Sequence, residues 1–558
     1  MSAGALEPPA RHPANVAPAG VVARAIALPA GLAAVLFVLA FAARLIGVGL
    51  FVTPDEDNWM GRAASFSRAL SRGQFQLTYQ SGHPGVTTMW VASLGMGREA
   101  GKLRGARTAD PATIVTRHPD WDRLFIRARY AMIAANAALI AVIGLLAWRL
   151  LGPGPALLGG VLMALDPFLV AHGQVVHVDA LATGLMTVAV LAGGIFWLAG
   201  GGWGYLALCA AAGGLGVLTK APAFFLGVFL PLVAIAAAVL DRRAWSPGRL
   251  ALSVLACGFG ALVVVVLGWP ALWVAPVETA TRIVEYQILQ SATPHGPGNY
   301  FLGVPTPDPG YRYYPVAVMF RLAPVVMAGL VALLVVLPSP ARRRQVSLLA
   351  GFTFGFLVFV TLASKKLDRY ALPLFPSLAL LAGLGIWMAY EELAGRIARV
   401  GRHAQRWLLA GFVGVAAAGQ ALALASVAPY PLAFYNPLVG GGPAAERVML
   451  VGWGEGLDRV AAYLNAQPNA AAARIAIYYP LVLNFQGMVA GTLHRFTDSV
   501  PTDYVVDYVN AAQRGQTPPE VYGLRPDFIV ELNGIVYARV FRLDPPRLLS
   551  TAEVAPSE

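Results

Sequence analysis

The chain has 558 residues, of which 57% are hydrophobic and only 13% are charged. An ordinary soluble domain would be nearer ~45–50% apolar and ~25% charged, so the composition excludes that class and indicates a polytopic membrane protein. The net charge of +12 does not indicate a nucleic-acid partner. The Arg residues lie in short loops between apolar runs rather than on a basic soluble surface interleaved with aromatic residues. Both cysteines, Cys209 and Cys257, fall within apolar runs, so no disulfide framework is expected.

The N-terminal residues 1-23 are rich in Pro and Ala, and this composition predicts a disordered tail. No cleavable signal pattern is present there, so the first apolar run is expected to remain as an anchor. From this run onward, about eleven uncharged runs are long enough to cross the ~30 Å hydrocarbon core as helices. They form a predicted transmembrane domain, 24-430, with spans at 24-50, 129-149, 154-171, 179-200, 203-219, 221-240, 250-270, 316-338, 345-363, 370-390 and 407-428.

The distribution of Arg residues predicts the orientation of these helices. If the N-terminus is cytoplasmic, the strongly Arg-rich short loops all lie on the cytoplasmic face, as the positive-inside rule requires. The extracytoplasmic face then receives the 51-128 segment, the 271-315 loop, the 364-369 loop and everything after about residue 429. Most acidic, His and Lys residues lie on this outer face. We therefore predict a multi-pass protein of the cell membrane whose active site and C-terminal domain are extracytoplasmic.

Two outer segments are long enough to have structure of their own. Within 51-128, WMGRAASFSRAL (from Trp59) and TTMWVASLGMGREAGKL (from Thr87) have the apolar spacing of helices lying flat on a membrane. After about residue 440, an amphipathic helix is followed by short alternating runs typical of strands. Two such runs flank Asn533-Gly534, the strongest hairpin signal in the chain. A small α/β domain is predicted at 440-558.

Three consecutive carboxylates, Asp55, Glu56 and Asp57, follow the first predicted span. Charge at a membrane boundary is costly, which favours a role as general base, metal ligand or polar-substrate site. The alternative is structural, because acidic residues after Pro54 also suit the start of a helix. His83 lies in a Gly/Pro turn on the same predicted face, although a lone His is more often structural.

A second acidic site lies in HGQVVHVDALATG, which begins at His172. His177 and Asp179 are two residues apart, so a turn or extended segment would present both to one pocket, where they could share a metal or a proton. The alternative is that Asp179 caps the helix that follows it. We favour the functional interpretation because a second carboxylate cluster is predicted on the same face.

Basic residues on the outer face run against the positive-inside trend. Lys220, between two apolar runs, would either hold a phosphate or simply extend to the interface. Lys365, Lys366 and Arg369 gather in one outer loop, and an anionic phosphate at the membrane surface would explain them. Tyr370 adds a hydroxyl donor. The alternative is a basic loop that contacts lipid headgroups.

Several motifs follow one another along the chain: the acidic run at Asp55, HVDALATG, VLTKAPAFF, GPGNYFLG, SKKLDRYALPLFP, YPLAFYNPLVGG and GWGEGLDRV. Taken in this order, they resemble the motifs of the polyprenol-phosphate-sugar-dependent glycosyltransferases of the GT-C fold. The chain is most similar to the family of protein O-mannosyltransferases and lipid A aminoarabinose transferases, from about residue 30 to 460. The resemblance implies a helical GT-C membrane domain that transfers a sugar from an isoprenoid phosphate to a protein, lipid or glycan acceptor on the outer face.

Carried over to this sequence, the resemblance implies that Asp55 is the base or acceptor-binding carboxylate and Asp179 a second acidic residue. Because the acidic run is longer than the usual pair, Glu56 is an alternative base. The candidates for binding the lipid phosphate are Lys220, Lys365, Lys366, Arg369 and Tyr370. The further cavity candidates are Asp57, His83, His177, His295, Trp453 and Glu455. No cofactor is implied with certainty; a divalent metal, if used, would take ligands from Asp55, Glu56, His177 or Asp179.

The alternative from another class is a transporter or lipid flippase, whose charged residues bind and release a substrate without chemistry. It predicts polar residues at mid-bilayer depth in broken helices, whereas most charges here lie at the predicted outer mouth, apart from Arg321. An outer-face receptor is a third interpretation, but it leaves the clusters at Asp55 and Lys365 unexplained. No P-loop or Gly-rich dinucleotide motif follows a strand, so ATP or NAD use is not supported.

Overall fold

The structure is a computed structural model that describes residues 19–103, 120–294, 296, 298–396, 402–478, 485 and 487–550. Most of the predicted tail, 1-23, lies outside these residues, and its last five residues belong to the first helix. His295 also lies outside them.

Helices dominate the described chain. In chain order they are α1 Ala19–Ala43, α2 Glu56–Ser71, α3 Val86–Met96, α4 Trp121–Leu151, α5 Pro153–Leu165, α6 Pro167–Gln174, α7 Val178–Leu198, α8 Trp203–Thr219, α9 Leu226–Leu240, α10 Pro247–Gly268, α11 Ala271–Val274, α12 Pro276–Ala292, α13 Tyr313–Arg321, α14 Pro324–Val336, α15 Pro340–Thr361, α16 Leu374–Arg396, α17 Arg402–Ala425, α18 Gly441–Val448, α19 Leu457–Asn465 and α20 Val509–Ala512. The strands are β1 Asn299–Phe301, β2 Val304–Thr306, β3 Arg474–Ile477, β4 Thr492–Arg495, β5 Thr502–Tyr508, β6 Phe528–Leu532 and β7 Ile535–Arg547.

Seven segments of the described chain are long and apolar enough to cross a membrane. They lie in α4, α7, α9 with the short helical turn before it, α10, α15, α16 and α17. The pairs α5–α6 and α13–α14 also have the length and hydropathy of a span, and α8 and the Pro29–Ala43 part of α1 are shorter apolar helices. These elements correspond to the eleven predicted spans. The predicted class, a helical polytopic protein with a small C-terminal domain, is confirmed.

The two pairs are broken helices, which the sequence analysis read as continuous. The α5–α6 pair bends by 59° and the α13–α14 pair by 111°. In both, the second helix begins with a proline, Pro167 or Pro324, and the residue before it is extended. Proline has no N–H for the helical ladder and disfavours helical geometry in the preceding residue, so each helix ends there. Both breaks lie close to cavity residues described below.

Helix α7 lies at the centre of the membrane domain, where 94% of its most apolar stretch is buried. Glycines allow close packing of other helices around it. A Cβ on Gly383 of α16 would lie 2.4 Å from the Gly159 amide of α5, and one on Gly385 would lie 2.0 Å from the Gly329 carbonyl of α14. Such small-residue contacts are typical of membrane helix packing.

The segments 51-128 and 271-315, which were predicted to lie on the outer face, contain elements that frame the site. The predicted apolar face of α2, with Trp59, Met60, Ala63 and Phe66, is buried within the protein, where α2 packs on α3. The 271-315 segment, read from sequence only as a loop, contains α11, α12 and the β1–β2 hairpin. A bridge from Phe301 in β1 to Met449 joins that hairpin to the C-terminal domain.

The C-terminal domain is built on a five-stranded sheet of order β4-β3-β5-β7-β6. Strand β3 runs parallel to β4 and β5, and β7 runs antiparallel to β5 and β6. The predicted hairpin is confirmed, since β6 and β7 are joined by Asn533 and Gly534, both with positive φ. The predicted amphipathic helix is α19, and the short alternating runs predicted after it include β3 and β5.

Candidate active site

Asp55 lies immediately before α2 and faces a cavity of about 120 Å³. The ends of the membrane helices form one side of this cavity and the C-terminal domain forms the other. Its wall includes His172 of α6 and Arg369 from the first, and Trp453 and Glu455 from the second. The Asp55 side chain retains 34% of its exposure, so its carboxylate is within reach of a molecule entering the cavity.

Four of the predicted site residues meet beside this cavity. Arg369 donates from Nη2 to Asp55 Oδ2 at 3.0 Å, and its Nε lies 3.5 Å from Asp179 Oδ2. Lys220 donates from Nζ to Asp179 Oδ1 and stands over the Tyr370 ring, 4.1 Å from its centroid. Asp55 and Arg369 are 314 positions apart in the chain. Two carboxylates and two cations thus form one connected group.

His177 lies between the two carboxylates. Its Nε2 is 3.5 Å from Asp55 Oδ2 and its Nδ1 is 3.0 Å from Asp179 Oδ2. Burial alone would lower the pKa of His177, but the two carboxylates outweigh burial and raise it above its ordinary value. The Trp453 ring meets the imidazole edge to face, with centroids 5.4 Å apart. The imidazole is therefore held in one orientation beside Asp55.

His83 lies near three cationic side chains. Burial, and then the cations Lys220, Lys365 and Arg62, lower the pKa of His83 to about 3. Its ring packs against Tyr286 with centroids 5.0 Å apart. Lys220, Lys365 and Arg62 thus lie close enough to His83 to affect its charge, and together they form a cationic region. Such a region attracts an anion.

Glu56 belongs to the protein interior rather than to the cavity. Its side chain is fully buried, and Arg129 of α4 donates to both carboxylate oxygens from Nε and Nη2, at 2.8 and 2.5 Å. The amides of Thr53 and Val176 also donate to it, each at 2.9 Å. The cavity lining does not include Glu56. This placement fits a structural role better than the predicted catalytic one.

The other predicted residues also include some that line the cavity and some that do not. Lys366 pairs with Asp308, with its Nζ 2.8 Å from Oδ1, and it is not part of the cavity lining. Glu455 lines the cavity, where its carboxylate accepts hydrogen bonds from the Trp453 amide and the Tyr508 hydroxyl. Asp57 is half-buried on α2.

The residues present do not fit a divalent metal. Among the described residues there is no group of three or more His, Cys, Asp or Glu side chains arranged to hold one. Of the four predicted ligands, Glu56 is bound to Arg129, and Asp179 accepts from Lys220.

Comparison with known proteins gives likenesses at the level of structure. The chain is similar to ArnT from Cupriavidus metallidurans bound to undecaprenyl phosphate, with a TM-score of 0.49 and 16% identity over 97% of this chain and 99% of that one. It is also similar to the oligosaccharyltransferase AglB from Archaeoglobus fulgidus in complex with an inhibitory peptide and a dolichol-phosphate, with a TM-score of 0.44 and 10% identity over 87% of this chain and 70% of that one.

A third likeness is to the S. cerevisiae protein O-mannosyltransferase Pmt1-Pmt2 complex bound to the sugar donor. Its TM-score is 0.34 and its identity 17%, over 50% of this chain and 38% of that one. No family model matches the sequence, and no curated protein matches it. At these identities and TM-scores, the structural likenesses assign no function to the chain.

Three charged residues near the site were not predicted as parts of it. Arg62 lies about two helical turns along α2 from Asp55. Burial lowers the pKa of Arg62, and the Asp55 carboxylate offsets only part of this effect. The helical spacing of WMGRAASFSRAL was the available signal, since it places Arg62 away from the apolar residues of α2. Arg321 pairs with Asp368 through Nη2 and Oδ2 at 2.7 Å, and both line the cavity. Of the three, only Arg321 was singled out in the sequence, as a charged residue at a predicted mid-bilayer depth.

The pairing of His177 predicts how stability depends on pH in the absence of substrate. Because its folded-state pKa is raised, its contribution is complete below the ordinary value of 6.5 and is lost as pH rises through the folded-state value. Asp55 has a lowered pKa, so its contribution is complete above 3.8 and is lost in acid. The part of the thermal stability that depends on the pairing of His177 with Asp55 should therefore be greatest between these two ordinary values. A His177→Gln variant should lose the alkaline decline, as measured by melting temperatures in detergent from about pH 4 to 9; curves that stay parallel would contradict this.

Proposed function

We propose that this protein is a membrane glycosyltransferase. It would move a sugar from a polyprenyl-phosphate donor to a hydroxyl of a protein, lipid or glycan acceptor on the extracytoplasmic face. The observation that carries the proposal is that Asp55 pairs with Arg369 beside one cavity, and that Arg369 also lies next to the ion pair of Asp179 and Lys220. A base for the acceptor and a cationic site for the leaving phosphate are the two groups that such a reaction needs.

The cationic residues have the chemistry of a phosphate site. Lys220 is 9% exposed, and burial together with Arg369 and Lys220 lowers the pKa of Lys365. Cations that lower one another's pKa are relieved when an anion binds among them. A phosphate oxygen accepts strong charge-assisted hydrogen bonds from Lys and Arg. Lys220, Lys365 and Arg369 are therefore our assignment for the donor phosphate, with Tyr370 beside them.

Asp55 has the properties of a base that is activated by the donor. Burial raises the pKa of Asp55, but His177 and Arg369 outweigh burial and hold it well below its usual range. A carboxylate with such a low pKa is a weak base. When a donor phosphate takes hydrogen bonds from Arg369, Asp55 loses part of this stabilisation. Its basicity then rises only when the donor is bound.

The reaction would be a single displacement at the anomeric carbon, C1. The acceptor oxygen forms a bond to C1 while its proton passes to Asp55, and the bond from C1 to the phosphate oxygen breaks. The bonding electrons leave with the polyprenyl phosphate, whose added negative charge is stabilised by Lys220 and Arg369. Attack opposite the leaving phosphate inverts the configuration at C1. The donor's phosphate would stay at headgroup level and its isoprenoid chain among the helices.

Two adjacent lysines give a matched test of the phosphate site. We expect Lys365→Met to weaken donor binding roughly 10- to 100-fold, since a hydrogen bond to a charged group is worth about 1.5–3 kcal/mol. Lys366→Met should leave binding unchanged, because Lys366 pairs with Asp308 instead. Binding of a polyprenyl-phosphate sugar to the full chain in nanodiscs can be measured by native mass spectrometry. Equal losses in the two variants would contradict the assignment.

A lipid flippase is the second candidate, and the two broken helices favour it. Transporters often place binding sites at interrupted helices. Here α6 carries His172 and α13 carries Arg321, and both residues line the cavity. A flippase would bind the same donor but leave its sugar–phosphate bond intact. Cleavage of that bond distinguishes the two functions.

A further inference from the structure

The wall of the cavity formed by the C-terminal domain contains two polar residues that the proposed reaction does not use. Asn510 of α20 and Arg514 just after it both line the cavity, and they are only 5% and 8% exposed. They lie on the wall opposite the membrane helices. From these residues we infer that the cavity contains a second subsite, which recognises a carboxylate-bearing sugar. This inference rests on the proposed function.

Arg514 differs from the other arginines of the cavity in its partners. Arg321 pairs with Asp368, and Arg369 pairs with Asp55 and Asp179. In the described structure, Arg514 donates hydrogen bonds to two backbone carbonyls, that of Gly298 at 3.1 Å and that of Asn510 at 3.4 Å. Within the described chain, no carboxylate lies within ion-pair distance of it. A buried cation without a counter-charge is costly, and an anionic ligand would offset that cost.

Asn510 adds an independent observation. Its Nδ2 donates to the Gly452 carbonyl at 3.4 Å, but its buried Oδ1 has no hydrogen-bond partner in the described structure. Buried polar atoms are nearly always paired, so an unpaired acceptor in a cavity wall indicates a missing donor. A sugar hydroxyl is such a donor.

The two residues together define the class of ligand. A guanidinium binds a carboxylate through two parallel hydrogen bonds, and Asn Oδ1 accepts from a neighbouring hydroxyl. A uronic acid presents both groups on one ring. Its carboxylate would be a second anionic group, separate from the donor phosphate. It would belong either to the transferred sugar or to a glycan acceptor.

The first experiment measures binding of free glucuronate to the full chain in nanodiscs by saturation-transfer difference NMR, with glucose as the neutral control. We expect at least tenfold preference for glucuronate, and at least tenfold loss of glucuronate binding in Arg514→Gln. Arg514→Lys should recover part of the binding, since it restores the charge but not the two-pronged geometry. If Arg514→Gln does not fold, Asn510→Ala provides the test and should weaken glucuronate several-fold. Equal binding of glucose, or tighter binding of inorganic phosphate, would overturn the inference.

A second set of measurements identifies which substrate carries the carboxylate. If it belongs to the transferred sugar, polyprenyl-phosphoglucuronate should bind more tightly than polyprenyl-phosphoglucose, and Arg514→Gln should remove that difference. If it belongs to the acceptor, free glucuronate should still bind when polyprenyl-phosphoglucose saturates the donor site. Donor binding that depends on Lys365, without any glucuronate binding, would overturn only the subsite. Arg514-dependent glucuronate binding without donor binding would instead overturn the proposed function.

Discussion

Replacing Asp55 by Asn is expected to reduce sugar transfer by roughly 10²–10⁴-fold, the usual contribution of a positioned general base. The amide has nearly the size of the carboxylate but cannot accept the acceptor's proton. Donor binding should be retained or slightly tighter, because the change removes a negative charge that pairs with Arg369 at 3.0 Å. Initial rates of transfer and donor dissociation constants, measured on the same reconstituted protein, separate the two effects.

The matched control is Asp308→Asn, which also removes an acidic residue from the predicted outer face. Asp308 pairs with Lys366 and lies outside the cavity lining. Transfer should stay within a factor of about two to three, because the Asn amide oxygen can still accept a hydrogen bond from the buried Lys366. If Asp55→Asn keeps most of its activity, Asp55 is not the base. Asp179 would then be the next carboxylate to replace.

The second large effect is on stability. Removing Arg129 by Arg129→Leu should destabilise the protein by about 3–5 kcal/mol, since it leaves a buried carboxylate without its partner. Glu56 would keep only the two backbone amides, from Thr53 and Val176. Arg129 also donates to the carbonyls of Val48 and Phe51, so its loss would loosen the segment that leads to Asp55. Unfolding by SDS titration in mixed micelles, followed by circular dichroism, measures the change.

A double variant gives the control for this effect. Glu56→Gln combined with Arg129→Leu removes both charges, so it should be more stable than Arg129→Leu alone. The difference between the two is the cost of the unpaired carboxylate. If the double variant is the less stable of the two, the charge of Glu56 is not what makes Arg129 necessary.

The positions of the apolar helices were largely accessible from the sequence. Uncharged runs of about 20 residues have few physical explanations other than a span, so the eleven runs could be placed. The Asn533-Gly534 hairpin was equally clear, because both turn positions need positive φ. The helix breaks before Pro167 and Pro324 were not predicted, although proline was the signal. Apolar composition continues across each break, so hydropathy alone does not reveal it.

The main residues of the candidate site could be predicted because the sequence places all of them on the same expected face of the membrane. Asp55, Asp179, Lys220 and Arg369 were all expected on the outer side, and the structure brings them together. The sequence could not separate Asp55 from Glu56. Successive residues at the start of a helix point about 100° apart, so one faces the cavity and the other faces α4. The deciding partner, Arg129, is 73 positions away.

The adjacent lysines 365 and 366 illustrate the same limit of sequence reasoning. Both are cationic residues of one loop that was expected on the outer face, yet Lys366 pairs with Asp308 of the 271-315 segment. Arg514 and Asn510 were missed for a different reason. They line the cavity only because the C-terminal domain packs over the membrane helices. The local sequence around these two residues contains no pattern that predicts this contact.

The most direct measurement follows the label of a sugar carried on polyprenyl phosphate. The full chain is reconstituted in liposomes with donors radiolabelled in the sugar and with an extract of candidate acceptors. We expect the label to leave the lipid and appear on an acceptor or in water with wild-type protein, and to remain on the lipid with Asp55→Asn. If the wild-type protein instead moves intact labelled donor across the bilayer and never cleaves it, the protein is a flippase and not a glycosyltransferase.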